Sequence, residues 1–341
     1  MNGLSAGRPL RAAWTGILAL LAVACAERDV PSAAAAPPGP PAGEFQLPRA
    51  ITPLQPPAID SPAKVELGKA LFGDSRLSGD GTVNCSSCHD LGAGGDDGRP
   101  RSIGIAGQIT AVNAPTVLNS ALNFAQFWDG RARTLEEQIR ATVASPVEMG
   151  GDWHAIERAL RADPALEQRF DALYEDGVTA ANVIDALAAY VRALVTWDSP
   201  FDRYLRGDAD AIGADAKAGF ELFTRFGCVS CHQGRNIGGN LFQRFGVMGD
   251  YFATRGPVGT ADYGRYNVTG REEDRYTFKV PTLRNVAGTA PYFHDGSTAT
   301  LDQAVRVMVE YQLGRLVTPE QIAQLVAFLE TLSGEVDGEL L

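Results

Sequence analysis

The sequence predicts an all-α protein made of two related helical domains, and three observations carry that expectation. A short cysteine–histidine motif occurs twice, as Cys85-Ser86-Ser87-Cys88-His89 and as Cys228-Val229-Ser230-Cys231-His232. A longer similarity runs without gaps at an offset of 166 residues: Pro115-Thr116 matches Pro281-Thr282, Asn119 matches Asn285, and Phe127-Trp128-Asp129-Gly130 matches Phe293-His294-Asp295-Gly296. Apolar residues recur at helical spacing over Val183, Leu187, Tyr190, Val191 and Leu194, and again over Ile322, Leu325, Val326 and Leu329, with no convincing strand alternation elsewhere.

Composition sets the outer limits. The chain has 341 residues, 45% hydrophobic and 21% charged, which is ordinary for a globular protein. Its net charge of -11 argues against general nucleic-acid binding. Only 5 cysteines and 4 histidines are present, so few metal sites are open to it.

Residues 1–24 read as a signal peptide. Arg8 and Arg11 precede the apolar run Ala12–Ala24, which is too short to span a bilayer as a mature helix. Leu21-Ala22-Val23-Ala24-Cys25 resembles a bacterial lipobox, with the Cys25 thiol as lipid anchor; the alternative is ordinary cleavage that leaves a free thiol. Residues 25–62 are rich in Pro and Ala and predict a semi-rigid spacer. The first domain is expected over 63–208 and the second over 209–341. Each opens with G-x-x-L-F, at Gly68–Phe72 and Gly219–Phe223. Thr134 with Glu137, Thr300 with Gln303 and Thr318 with Gln321 predict capping boxes at three helix starts. Gly-rich stretches at 92–98 and 234–264 predict loops.

C-x-x-C-H is the attachment signal of c-type haem. Its thiols bond the haem vinyl groups, and the adjacent imidazole is placed to bind iron. A redox dithiol wants a βαβ setting, and zinc wants four clustered ligands. Two complete copies in an exported chain therefore predict two covalently bound haems c, held by Cys85, Cys88 and His89 and by Cys228, Cys231 and His232. Each domain is expected to be a small cytochrome c-like fold, the two related by internal duplication.

The offset also predicts unequal irons. Met308 in the second domain stands opposite Thr142 in the first. A thioether there closes the second haem as its sixth ligand and raises its potential. Thr142 cannot do so. Met149 and Met248 are the competing methionines.

With these motifs in view, residues 60–335 resemble bacterial dihaem cytochrome c peroxidases and the related MauG. The resemblance rests on Asn113-Ala114-Pro115-Thr116, Gln126-Phe127-Trp128-Asp129-Gly130-Arg131, Pro146-Val147-Glu148-Met149, Val280-Pro281-Thr282-Leu283-Arg284-Asn285 and Tyr292-Phe293-His294-Asp295-Gly296, with both haem motifs. It implies Glu148 as the acid beside the peroxidatic haem, Trp128 as the aromatic between the haems, and Met308 as the electron-transfer haem's ligand. Gln138, one helical turn before Thr142, is expected to line the same pocket as Glu148. The resemblance also implies a calcium ion held by Asn113 and by the Thr289 and Pro291 carbonyls; hard oxygen ligands suit it. Many relatives block the first iron with a His before Asn-Ala-Pro-Thr. Ile105 stands at that place here, so the first haem is expected to be open without reductive activation. His154 is expected on the surface, and His294 near the second haem or the domain interface.

The implied function is a periplasmic peroxidase that reduces hydrogen peroxide to water, with electrons from a small cytochrome c or a copper protein (a cupredoxin). A MauG-like oxidation of a partner protein's side chains and a plain dihaem electron carrier stay open beside it. Contact with a membrane is expected only through a lipid at Cys25, and the family commonly forms homodimers.

Overall fold

The computed structural model of the protein describes residues 50–336 and 339–340. The expected signal peptide, Cys25 and the linker before Ala50 lie outside the described residues. Among the described residues there are eleven α-helices: α1 (Pro62–Phe72), α2 (Leu135–Ala144), α3 (Trp153–Arg161), α4 (Pro164–Asp171), α5 (Ala180–Ala193), α6 (Pro200–Leu205), α7 (Ala214–Phe226), α8 (Tyr251–Arg255), α9 (Tyr266–Thr269), α10 (Leu301–Val307) and α11 (Pro319–Glu330). None is long and apolar enough to cross a membrane. Two small antiparallel pairs interrupt the helical pattern, β1 (Phe242–Arg244) with β2 (Thr277–Lys279) and β3 (Glu335–Val336) with β4 (Glu339–Leu340). Three-residue strands are too short to leave an alternating signature, which is why the sequence shows none.

The helix starts follow local chemistry. Ser61 caps α1, with Pro62 in its first turn. Thr318 and Gln321 form the complete capping box expected of α11. At α2 the box is half formed: Thr134 accepts from the Glu137 amide, but the Glu137 carboxylate reaches the Arg133 amide instead of the cap residue. The box expected of Thr300 and Gln303 is absent, because the Thr300 hydroxyl donates to Asp302.

The two G-x-x-L-F segments place the same contact twice. α1 lies against α5, and a Cβ on Gly68 would sit 2.0 Å from the Ala186 carbonyl oxygen. α7 lies against α11, and a Cβ on Gly219 would sit 1.9 Å from the Gln324 carbonyl oxygen. No side chain fits at either crossing, so glycine is the residue that lets each helix pair close.

Buried side chains gather into two large clusters. One contains Leu67, Leu71, Phe72 and the apolar faces of α2, α3 and α5. The other contains Phe201, Leu222, Phe223, Val305, Phe328 and Leu329. It begins at Phe201 in α6, ahead of the boundary expected at 209. It also takes in Ile51, 3% exposed, from the stretch expected to be a spacer. That stretch is tied down from its first described residue: the Ala50 carbonyl accepts from Gly234, and the Leu54 amide donates to Asp202. The spacer reading therefore fails over 50–54. Two buried apolar side chains between prolines are enough to anchor it.

Local conformation repeats at the sequence offset. Asn119 and Asn285 both take φ near +60°, as do Gly130 and Gly296, and Phe127 and Phe293 also have positive φ. The isolated bridge Gln126–Ala132 has its counterpart in Tyr292–Thr298. Helices α2 and α10 begin at matching positions. They then diverge: α2 continues to Ala144, whereas α10 ends and the chain winds into a π turn over Met308–Gln312. Such turns often mark functional positions in a helix.

Candidate functional site

Both cysteine motifs fold as the same tight turn. The amides of Cys88 and His89 donate to the Cys85 carbonyl, and those of Cys231 and His232 donate to the Cys228 carbonyl. In the first copy Asn84 locks the turn, accepting from the Ser87 amide at 3.1 Å while Ser87 Oγ accepts from the Asn84 amide at 3.0 Å. The four described cysteines are free thiols. Burial pushes Cys85 up to about 12 and Cys228 up to about 11. A redox dithiol or a thiolate metal site needs the opposite shift.

The first motif opens on a cavity lined by Cys85, Cys88, His89 and residues of α2. His89 Nδ1 lies 3.0 Å from the Gly95 carbonyl. A carbonyl only accepts, so Nδ1 carries the proton and the Nε2 lone pair is left for a metal. Burial lowers the His89 pKa, keeping the ring neutral. These features fit haem c: two uncharged thiols, one oriented neutral imidazole and an apolar chamber.

The same cavity is lined by Gln138, Thr142, Glu148 and Arg131. Gln138 Nε2 donates to Thr142 Oγ1 at 2.9 Å. Burial raises the Glu148 pKa; Arg131 and a hydrogen bond from Thr142 oppose that rise. The Ser102–Gln108 loop is strapped onto the Glu148 segment. The Ile105 amide donates to the Glu148 carbonyl at 3.0 Å, and Gly104 lies so close that a Cβ would be 2.0 Å from the Val147 carbonyl oxygen. The Ile105 side chain lies over Gly150 and does not line the cavity.

The second motif opens on a cavity lined by Phe223, Cys228, Cys231, His232 and Met308. Burial pushes His232 down to about 4. Met308 starts the π turn and is half-buried. Of its competitors, Met248 is 62% exposed and does not line this cavity. Met149 is buried in the first cluster and lines the first cavity.

Some residues line both chambers, among them Asn113, Trp128 and Lys279. Trp128 Nε1 donates to the Asn113 carbonyl at 3.0 Å. Asn113, Thr289 and Pro291 all line the second chamber. Asn113 Nδ2 donates to the Arg99 carbonyl, so the amide nitrogen is engaged and Oδ1 has no donor among the described residues. In the same chamber lies Asp96, 1% exposed, with both carboxylate oxygens unpartnered. Burial, with Asp97 beside it, pushes its pKa to about 6. An orphaned buried carboxylate beside oxygen donors fits a hard cation.

His154 is exposed near the start of α3. His294 is buried, stacked on Phe278 with ring centroids 4.4 Å apart and edge-on to Trp128 at 6.4 Å. Its Nε2 meets Asp262 at 2.7 Å, and Arg255 pairs with both Asp262 and Asp295. The guanidinium offsets one of the two carboxylate charges, and the Asp262 carboxylate orients the His294 ring.

Sequence reasoning missed Asp96, Lys279 and the link from Gln138 through Thr142. Asp96 reads as one acid in a glycine-rich loop. Lys279 had a signal: a lone lysine between Phe278 and Val280, which are both buried.

Comparison with known proteins bears on both chambers. The sequence profile of the di-haem cytochrome c peroxidase family matches residues 62–210. Cytochrome c551 peroxidase of Nitrosomonas europaea is 43% identical over 295 residues, covering 86% of this chain and 87% of that protein. Cytochrome c peroxidase Ccp of Escherichia coli K12 is 47% identical over 272 residues, covering 80% of this chain but only 58% of that longer protein. Among solved structures, a MauG-like protein associated with microbial copper homeostasis superposes with a TM-score of 0.75 at 30% identity, over 86% of this chain and 96% of the other.

Proposed function

The chain belongs to the family of bacterial dihaem cytochrome c peroxidases, and from that premise we propose that it reduces hydrogen peroxide to water with electrons from a small redox protein. The observation that carries the reading is the inequality of the chambers: an acid shares the first with its histidine, and a thioether shares the second.

Haem c bound at each motif supplies an iron for peroxide in the first chamber and a one-electron relay in the second. Cys85 and Cys88 would hold the first group and His89 would ligate it; Cys228, Cys231, His232 and Met308 would do so in the second. Glu148 takes a proton from peroxide in the first chamber and returns it to the departing oxygen; with two further protons from solvent and two electrons from the donor protein, one peroxide yields two waters. Gln138 and Thr142 hold that carboxylate, and Arg131 keeps it from being neutralised entirely by burial. Trp128 stands in the wall common to both chambers and serves as the electron path.

The matching conformations at Asn119 and Asn285 and at Gly130 and Gly296 support two haem domains related by duplication. Asp96 supports calcium beside Asn113, Thr289 and Pro291, because the ion would neutralise it. The acidic surface suits a basic cytochrome c or a copper protein as donor. An exported, periplasmic location follows from covalent haem attachment, with a lipid at Cys25 as its one membrane tether and a homodimer as its assembly.

Mixing the dihaem protein with peroxide and reduced cytochrome c tests the function. Rapid donor oxidation is the expected result. Stable oxidation of the haems without donor turnover would favour side-chain oxidation of a partner protein. Inertness to peroxide would leave only an electron carrier.

A further inference from the structure

Lys279 is a buried cation without an anion. It lies on β2, is 6% exposed, and its ammonium has no ion pair or hydrogen-bond acceptor among the described residues. Burial alone lowers its pKa, to about 8, so it is still mainly charged at neutral pH. An unpaired buried charge is costly, and folded proteins compensate such groups. The neighbouring side chains supply no acid: Phe278 stacks on His294, and the Lys279 amide donates to the Trp128 carbonyl at 2.8 Å. The side chain lines both chambers, at the wall that also holds Trp128.

We propose that Lys279 is a haem-propionate anchor whose ammonium pairs with a carboxylate of the haem in one or both chambers and sets a positive charge beside the electron path. The inference rests on reading both chambers as haem sites. Haem brings two carboxylates into each chamber; Glu148 and Asp96 also line these chambers, but neither forms an ion pair with Lys279, whose shift has burial as its only cause. The pairing makes it a positioning residue for the cofactor. Its charge favours the reduced, less positive iron, so it raises the potential of whichever haem it faces.

The test begins with haem content. Fewer than two haems per chain would overturn the underlying function, and is read separately. With two haems present, a structure of the holoprotein should place Lys279 Nζ within about 4 Å of a propionate oxygen; an ammonium remote from every propionate overturns the proposal. Spectroelectrochemistry then tests the consequence. Lys279→Met should reduce the one-electron reduction constant of at least one haem about tenfold, a fall of 59 mV, while Lys279→Arg stays near the parent. Unchanged potentials in a fully loaded Lys279→Met protein would also overturn it. If that variant does not take up haem, the Nζ–propionate distance in the parent decides.

Discussion

The two chambers start from the same turn and end with different far walls. At each, two thiols and a neutral histidine face an apolar space. In the first, α2 runs on to Ala144, so its last turns carry Gln138 and Thr142 toward Glu148. In the second, the matching helix stops at Val307, and the π turn brings Met308 to the wall. One chamber thus receives a carboxylate, the other a thioether. Two similar turns are made unequal by a few residues at one helix end, and the proposed function uses that inequality to separate chemistry from electron entry.

The largest expected effect comes from removing the acid. Glu148→Gln should lower peroxide turnover by roughly 10²–10⁴-fold with two haems still bound. Turnover near the parent level would place the proton acceptor elsewhere.

The second region is also built differently in its core. Arg284, 0% exposed, pairs with both oxygens of Asp202 and donates to the Arg235 carbonyl. Arg284→Met leaves Asp202 buried without its partner and should destabilise the fold by about 3–5 kcal/mol, read by denaturant unfolding. A loss under about 1 kcal/mol would mean that the pair is effectively solvated.

A third expectation concerns the cation. Asp96 holds its proton more tightly folded than unfolded, because its folded pKa of about 6 exceeds the ordinary 3.8. Without a cation its burial penalty is small below the ordinary range and grows as pH rises to about 6. Calcium should therefore raise the melting temperature more at pH 7.5 than at pH 5, relative to chelator. Equal shifts at both values would remove Asp96 from that site.

The smallest effect tests the hydrogen-bonded link. Thr142 lowers the Glu148 pKa, so Thr142→Ala should raise it further. A base works only when deprotonated, so the acid limb of the turnover profile should move to higher pH. An unmoved limb would separate Thr142 from Glu148.

The two cysteine–histidine turns were legible because they are written at fixed spacing in the chain, as covalent haem attachment would demand. Helix starts were legible at Thr134, Thr300 and Thr318, where the cap residue is local; only the side-chain box at Thr300 was misread, because its hydroxyl found the nearer Asp302. The anchored segment at Ile51 and Leu54 was hidden by its prolines, since burial there depends on a distant cluster. Asp96 and Lys279 escaped because a missing partner is a property of three-dimensional surroundings. The offset did bring Met308 opposite Thr142, but the hydrogen bond from Gln138 to Thr142 appears only when α2 is built.

The central claim is one closed iron and one open iron in the same resting molecule. Electron paramagnetic resonance of the fully oxidised dihaem protein tests it most directly, beside a Met308→Gln variant. The account predicts one low-spin and one high-spin ferric signal, with the low-spin signal changed in the variant. Two low-spin signals in the parent protein, or a low-spin signal indifferent to Met308, would contradict it.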